Sequence, residues 1–142
     1  MKSHLLIGGL LLAFASPALA QRPMTIDDLI GAVRVADPQI SPDGRSVAFV
    51  RTGTNVATGA RNGDIWVVAA DGSSGPKLLI GGEKSENTPR WAPDGKRIAF
   101  ISSRDGAPNV YLADADGGNV RPLTKIEGGG QPPPVFSPQQ YA

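Results

Sequence analysis

The sequence has no cysteine and only one histidine, His4. Without cysteine no disulfide can form, so we expect the fold to be stabilised by packing alone. Ser-His-Asp triads and Cys-His pairs need an imidazole that moves a proton near neutral pH, and imidazole and thiolate are the usual zinc ligands. His4 falls in an N-terminal signal peptide that we expect to be removed. We therefore predict no catalytic, cofactor-binding or metal-binding residue in the mature chain, which would not be an enzyme by itself.

The two signs of charge are nearly balanced. The chain has 14 lysines and arginines against 13 aspartates and glutamates, and the bases form no cluster. One base, Lys2, lies in the expected signal peptide, so the mature chain would carry equal numbers of basic and acidic residues. Such a surface does not attract a polyanion. We expect neither nucleic acid nor an anionic membrane among its partners.

The first twenty residues have the pattern of a secretory signal peptide. Lys2 precedes an apolar run at residues 5–15, and the small residues Ala18 and Ala20 stand before a cleavage point at Gln21. The alternative is a membrane anchor, but the run is shorter than the ~20 residues that span a bilayer. We predict a signal peptide at residues 1–20 and a soluble mature chain, periplasmic or secreted, with no membrane attachment.

Two stretches of the sequence are close copies of one another. Each has a proline before Asp-Gly, a basic residue and a short apolar run, and later a strand-like segment that ends at a second Asp-Gly. The copies run through residues 38–72 and 89–117, with Pro42 and Pro93 51 positions apart, and a third copy begins at Pro134. A period of about 40–50 residues built from short strands is typical of β-propeller blades.

Each copy contains four segments with the character of a strand. β-Branched and aromatic residues fill the longer ones, and Asp-Gly pairs, which supply the positive φ of tight turns, lie between or beside them. The proline ahead of the first Asp-Gly ends a strand, because proline cannot donate to a ladder. The predicted strands lie around 39–40, 46–52, 64–70 and 77–80 in the first copy and 88–91, 97–103, 109–114 and 120–124 in the second.

The predicted fold class is all-β, a partial β-propeller of two four-stranded antiparallel blades and the start of a third. An open β-sandwich also has turn-bounded strands, but it does not need two units of like sequence. The predicted domains are a signal peptide at 1–20, a leader at 21–36, blade 1 at about 37–82, blade 2 at about 87–127 and the beginning of blade 3 at 133–142.

Two blades alone would leave their outer faces open. A propeller protects its blade faces and strand edges by closing its ring, and this sequence supplies only part of one. We therefore expect apolar residues of the central strands to be only partly covered, and the isolated mature chain to be marginally stable and to self-associate. The residues concerned are Val47, Phe49, Ile98 and Phe100.

A short helix is predicted in the leader ahead of the first blade. Thr25 and Asp28 have the spacing of a capping box. Apolar residues recur after Thr25 at helical spacing, which predicts about two turns packed on the rim of the propeller. These residues are Ile26, Leu29, Ile30 and Val33.

The repeated unit resembles the TolB-type β-propeller repeat. The likeness rests on Pro-Asp-Gly-Arg/Lys-x-Ile/Val-Ala-Phe followed by Asp/Asn-Ile/Val-Trp/Tyr, with Asp-Ala-Asp-Gly-Gly-Asn at residues 114–119, and it covers nearly all of residues 38–138. The leader, in which Asp37-Pro38 runs into Ser-Pro-Asp-Gly, resembles the opening of prolyl oligopeptidase family serine peptidases. Acylaminoacyl peptidases and dipeptidyl aminopeptidases belong to that family.

The second resemblance implies that this chain is the N-terminal propeller portion of an exported peptidase that hydrolyses short peptides or acyl-peptides. The family's catalytic triad lies in a C-terminal α/β-hydrolase domain beyond residue 142, so none of it can be assigned here. The implied partners are the missing C-terminal blades, that hydrolase domain and a peptide substrate. The alternative is a non-enzymatic periplasmic TolB-like propeller that binds a protein or peptide, although TolB places a separate α/β domain before its propeller.

Two glutamates of a predicted loop invite a further comparison. In some members of the peptidase family, carboxylates of the propeller bind the amino terminus of the substrate. Glu83 and Glu86 match no motif for that role. We interpret both as solvated loop residues.

Three other motifs are rejected on their spacing or setting. An EF-hand loop starting at Asp114 would need an acid or amide, a glycine and a glutamate where the chain has Gly118, Asn119 and Lys125, so Asp114 and Asp116 are interpreted as a strand end and a turn.

The letters Ser-x-x-Lys at Ser74 and Lys77 lack a helix, since Pro76 stands between them. Trp66 and Trp91 could stack on a sugar, but both lie in repeated strands. We expect the two indoles to pack between blades.

Overall fold

The computed structural model describes residues 22–126, which form one short helix and eight strands. The elements are α1 (Ile26–Gly31), β1 (Arg34–Ile40), β2 (Ser46–Thr54), β3 (Arg61–Ala69), β4 (Lys77–Ile80), β5 (Glu86–Trp91), β6 (Arg97–Ser102), β7 (Asn109–Asp114) and β8 (Arg121–Pro122). The predicted signal peptide and the beginning of blade 3 lie outside the described residues.

The strands form two separate antiparallel sheets, each in sequence order. The first sheet, β1-β2-β3-β4, is blade 1, and the second, β5-β6-β7-β8, is blade 2. The prediction of two four-stranded antiparallel blades is confirmed. The Asp-Gly turns also have the expected left-handed glycine, with φ between 68° and 102° at Gly44, Gly72, Gly95, Gly106 and Gly117.

The first strand of each blade is longer than the sequence predicted. β1 begins at Arg34 instead of near Gln39, so it starts inside the predicted leader, and β5 begins at Glu86 instead of residue 88. Both strands continue past their proline because each contains a bulge, one between Ala36 and Gln39 and the other between Asn87 and Arg90. A bulge leaves the proline without a ladder partner, so its missing N–H costs no hydrogen bond.

The main core lies between the blades. Because successive side chains of a strand point to opposite faces, one face of each sheet points into this core. The buried cluster consists of Ala48, Ile65 and Ile80 from blade 1 and Ile98, Phe100, Tyr111 and Ala113 from blade 2.

The expectation of partial cover is wrong for three of its four residues. Ile98 and Phe100 are fully buried because they face blade 1, and Phe49 is also buried at 8% exposure. Val47 is half-buried, as expected.

The leader helix begins with the predicted capping box. The Oγ1 of Thr25 accepts a hydrogen bond from the backbone N–H of Asp28, whose carboxylate accepts one from the N–H of Thr25. The helix ends at Gly31, so Val33 lies beyond it. No residue of α1 is buried, although the helix approaches β2. Within residues 22–126, no helix is long and apolar enough to cross a membrane.

Candidate functional site at the blade junction

The first strands of the two blades carry the same irregularity at the same place. Asp37 and Thr88 are 51 positions apart, each precedes a proline, and each has a left-handed backbone, with φ of 49° and 55°. A non-glycine residue in this region costs about 1–3 kcal/mol and persists only where its surroundings stabilise it. The two bulges therefore mark the positions at which β1 and β5 turn a side chain out of the regular ladder.

The blade 1 bulge directs Asp37 towards blade 2. The Nη1 of Arg90 donates to both carboxylate oxygens of Asp37, at 2.9 and 2.8 Å, and Gln39 Nε2 donates to Asp37 Oδ1 at 2.8 Å. Arg90 also donates to the carbonyl oxygen of Pro89 at 2.7 Å. The ion pair thus joins the two first strands and holds both side chains in place.

An indole makes a second link across the junction. Trp91 packs against the main core, and its Nε1 donates to the carbonyl oxygen of Gln39 at 3.1 Å. The prediction that Trp91 packs between blades is confirmed.

Trp66 does not lie between the two described blades, so the prediction stays untested for it. Its cross-strand partner is Phe49, and alternation places this pair on the face of blade 1 opposite to Ile65. The guanidinium of Arg51 lies 4.7 Å from the centroid of the Trp66 ring. The Nε1 of Trp66 is buried without a hydrogen-bond partner.

A buried carboxylate begins β5 at the other end of the junction. Glu86 is 1% exposed, and its Oε1 accepts hydrogen bonds from Ser102 Oγ at 3.1 Å and Arg104 Nη2 at 2.9 Å. Its Oε2 is buried and has no partner. The interpretation of Glu86 as a solvated loop residue is therefore wrong, because β5 starts at this residue. Glu83, in the preceding loop, is exposed as expected.

Aromatic rings hold Arg104 beside this carboxylate. Its guanidinium lies 5.3 Å from the ring centroid of Phe100 and 5.1 Å from that of Tyr111. The hydroxyl of Tyr111 donates to Asp105 Oδ2 at 2.6 Å. Burial of the phenol and, to a smaller extent, this hydrogen bond to Asp105 raise the pKa of Tyr111 to about 12. The phenol is therefore a hydrogen-bond donor throughout the physiological pH range.

These groups are suited to holding and positioning rather than to breaking bonds. Ser102 is 1% exposed and its hydroxyl donates to Glu86, so it cannot reach a substrate as a nucleophile. Within residues 22–126, no three His, Cys, Asp or Glu side chains come together in a way that could hold a metal ion. The junction thus has one ion pair, Asp37 with Arg90, and one indole hydrogen bond that link the blades. The pair of Glu86 with Arg104 stabilises blade 2 internally.

The rejected motifs are local structure. Asp114 ends β7 and accepts from Asn119 Nδ2 at 2.6 Å, while Asp116 Oδ1 accepts from the N–H of Gly118 at 2.8 Å, as in a tight turn. Ser74 lies in the loop between β3 and β4, with no helix beside it.

Sequence reasoning missed the charged groups of the junction. The signal for them was present as departures from the repeat, because Glu86 and Arg90 of blade 2 stand where blade 1 has Val35 and Gln39.

Comparison with protein families gives one match over most of the chain. The TolB beta propeller domain matches residues 27–141.

Curated relatives include peptidases and a TolB homolog. The chain is 39% identical over 116 residues to the uncharacterized peptidase YuxL of Bacillus subtilis and 31% identical over 106 residues to dipeptidyl-peptidase 5 of Porphyromonas endodontalis. These matches cover 81% and 75% of this chain but only 17% and 15% of the relatives, so the chain spans less than a fifth of their length. A TolB homolog of Chlorobium luteolum is 34% identical over 95 residues, which is 67% of this chain and 21% of that protein.

Solved structures agree on the fold. The AtxE2 isopeptidase matches with a TM-score of 0.60 at 23% identity, over 73% of this chain and 20% of the isopeptidase. The acylaminoacyl peptidase of Pyrococcus horikoshii matches with a TM-score of 0.55 at 22% identity, over 70% of this chain and 15% of that enzyme. Matches at this identity support the propeller architecture alone.

Proposed function

Because the chain belongs to the TolB β-propeller domain family, we propose that it is the N-terminal propeller portion of an exported prolyl oligopeptidase family serine peptidase. The likeness to YuxL and dipeptidyl-peptidase 5 supports a peptidase parent over other propellers. In this proposal the parent hydrolyses short peptides or acyl-peptides in the periplasm or outside the cell. Its catalytic groups belong to a hydrolase domain, and the blades described here are part of its scaffold.

The structural observation that supports a propeller longer than these two blades is the open face of blade 1. Its residues match those of the blade 2 face that packs on blade 1. Phe49 and Trp66 are cross-strand partners in blade 1, and Phe100 and Tyr111 are the partners at the equivalent positions of blade 2. Phe100 and Tyr111 lie in the core between the blades. On the open face of blade 1, Leu78 is 54% exposed. This face fits another blade, which a longer propeller would supply.

The reading frame beyond codon 142 provides the direct test. We expect it to continue through further blades into a domain with a Gly-x-Ser-x-Gly sequence, the nucleophile elbow of α/β-hydrolases. The full-length protein should hydrolyse dipeptidyl or acyl-aminoacyl chromogenic substrates, and alanine at that serine should abolish the activity. The chain of residues 21–142 should show none, because it has neither histidine nor a triad. Turnover by the purified short chain would contradict the proposal.

The alternative is a non-enzymatic propeller that binds a protein or peptide in the periplasm. The 34% identity to a TolB homolog favours it. A reading frame that ends after the last blade, without a hydrolase domain, would support this alternative. Recovery of one specific envelope protein with the full-length propeller would then identify its partner.

A further inference from the structure

Blade 1 has one face in the main core and one open face. Phe49 and Trp66 are cross-strand partners on the open face, and Phe100 and Tyr111 occupy the equivalent positions of blade 2. That equivalent face of blade 2 packs against blade 1. The junction between the two described blades therefore shows what the open face should meet in a complete ring.

One turn of blade 2 is fitted to the backbone of blade 1. Gly117, in the turn after β7, has a φ of +89°, and a Cβ there would overlap the carbonyl oxygen of Leu79 in β4. Gly72 holds the equivalent place in the turn after β3, with a φ of +73°. In both turns the glycine N–H donates to the carbonyl oxygen three residues earlier. Among residues 22–126, however, nothing lies within 4 Å of a Cβ at Gly72, so its turn lacks the neighbouring strand that Gly117 has.

The ion pair of the existing junction cannot recur on the open face. Arg90 of blade 2 pairs with Asp37, and the residue of blade 1 at the place of Arg90 is Gln39. The amide of Gln39 is neutral, and its Nε2 donates to Asp37 of its own strand at 2.8 Å. A blade that covers the open face therefore meets no cation at this position.

A cation lies instead on the second strand of the open face. Arg51 in β2 is the cross-strand partner of Asp64, a position at which opposite charges normally interact. Within residues 22–126, however, no ion pair includes either residue. Asp64 Oδ1 accepts from Asn62 Nδ2 at 3.2 Å, and the guanidinium of Arg51 lies 4.7 Å from the ring centroid of Trp66. This position over the ring leaves the planar set of donors of Arg51 available to a carboxylate.

The position of Arg51 is buried where a blade is covered. Its equivalent in blade 2 is Ser102, which is 1% exposed and donates to the buried carboxylate of Glu86. In blade 1 the residue at the place of Glu86 is Val35, so this position offers Arg51 no carboxylate from its own blade. A guanidinium that is buried without a carboxylate strongly destabilises a fold. A blade that covers the open face must therefore bring an acid to Arg51.

We propose that the last blade of the complete propeller closes the ring on the open face, with a carboxylate bound to Arg51 and a backbone carbonyl against Gly72. Blade 2 covers the other face of blade 1, so only the last blade of a ring can reach this one. An ion pair at this place, absent from the junction of blades 1 and 2, favours the last blade over any other.

The inference rests on the proposed function only in that the propeller continues beyond these two blades. It holds equally for a peptidase and for a propeller without a hydrolase domain, since both have a last blade. Hydrolysis by the full-length protein tests the peptidase proposal, whereas the surroundings of Arg51 and Gly72 test this one. Failure of either proposal can therefore be recognised separately.

The contact at Gly72 can be measured in the full-length protein by amide hydrogen exchange of β3. Gly72→Ala and Gly59→Ala place a Cβ at φ of +73° and +69°, and within residues 22–126 both positions have open space around them. The backbone strain of the two variants is therefore matched. Gly72→Ala should exchange at least about tenfold faster than Gly59→Ala, because its added methyl group overlaps the last blade. Equal exchange in the two variants would overturn the proposal.

The acid at Arg51 can be identified by a zero-length crosslink. In Arg51→Lys of the full-length protein, a carbodiimide should join the new amine to an aspartate or glutamate of the last blade, and mass spectrometry locates the bond. Arg45→Lys changes an exposed arginine in the β1–β2 turn and should give no link to that blade. A link only to Asp64, a link that forms only between two molecules, or no link at all would overturn the proposal.

Discussion

Asp37 on β1 and Arg90 on β5 form the ion pair that joins the first strands of the two blades, with the carboxylate of Asp37 taking two contacts from one guanidinium nitrogen. The pair does not follow the repeat, since the equivalent residues are Thr88 in blade 2 and Gln39 in blade 1. Apolar faces of similar blades can pack in more than one order. A charge pair confined to one junction favours the correct order of these two blades.

A double-mutant cycle should show that this pair couples the blades. The side chains are 33% and 30% exposed, so solvent screens the pair only in part. We expect a coupling free energy of about 1 kcal/mol between Asp37→Asn and Arg90→Gln in urea unfolding. The more exposed pair of Asp94 and Arg97, at 3.2 Å, is the matched control and should couple by less than about 0.5 kcal/mol. Equal coupling in the two cycles would mean that the junction pair contributes no more to stability than an exposed ion pair within one blade.

Glu86 should be the acidic residue whose removal costs most stability. Glu86→Ala breaks a buried pair and leaves Arg104 without its carboxylate, which should cost about 3 kcal/mol in the free energy of unfolding. Glu86→Gln should cost about 1–2 kcal/mol, because it keeps one oxygen and replaces the unpartnered Oε2 by an amide nitrogen that also lacks a partner.

Glu83→Gln is the control for Glu86, in the exposed loop just before β5. It should change the stability by less than about 0.5 kcal/mol. A loss at Glu83 similar to that at Glu86 would show that the buried pair with Arg104 is not the cause.

Gly117 should be required for the contact between the blades. Its φ is +89°, and a Cβ there would lie 2.2 Å from the carbonyl oxygen of Leu79 in blade 1. Gly106 also has a positive φ, +102°, but open space around it. We expect Gly106→Ala to cost about 1–2 kcal/mol from backbone strain alone, and Gly117→Ala to cost about 2 kcal/mol more in thermal or urea unfolding. Equal losses would mean that the turn moves away from Leu79 without cost.

Tyr111 should make the stability fall at alkaline pH. The folded chain holds the phenol neutral, with a pKa of about 12 against 10.0 for an ordinary tyrosine. The unfolded state therefore loses its proton first, so this stabilisation is complete below pH 10 and declines as the pH rises from there to about 12. Tyr111→Phe should show a smaller decline over the same range in urea unfolding. An equal decline in the variant would assign it to other groups.

The repeat predicted the blades and the turn glycines because each depends on local chemistry or on alternation. Asp-Gly placed the reversals, and the apolar runs placed Phe100 in a strand. The partners of Arg90 and Glu86 could not be predicted in this way, since they depend on how one sheet lies on the next and on bulges that shift the register. Which face of blade 1 carries Trp66 could not be predicted for a related reason. Its strand was correct, but alternation does not say which face meets the other blade.

The open face of blade 1 should make the isolated chain self-associate. Alternation places Val35, Ile40 and Leu78 on this face with Trp66, and these three are 64%, 64% and 54% exposed. The expectation that the outer face of blade 2 is also open is wrong, because Ala99, Val110 and Leu112 on that face are buried. Association should therefore proceed through blade 1, and light scattering of the chain of residues 21–142 should detect it at micromolar concentration.

A charge on the open face should weaken this association. In Leu78→Lys, association of two chains has to desolvate the new ammonium group. We therefore expect the association constant to fall at least about tenfold, which corresponds to 1.4 kcal/mol. Val56→Lys changes an equally exposed residue, 57% accessible, in the β2–β3 loop and should leave the constant unchanged. If the unchanged chain is monomeric and unfolds in one sharp transition, the face of Phe49 and Trp66 is stable in water. Blade 1 would then have no need of a neighbouring blade, and the main support for a longer propeller would be lost.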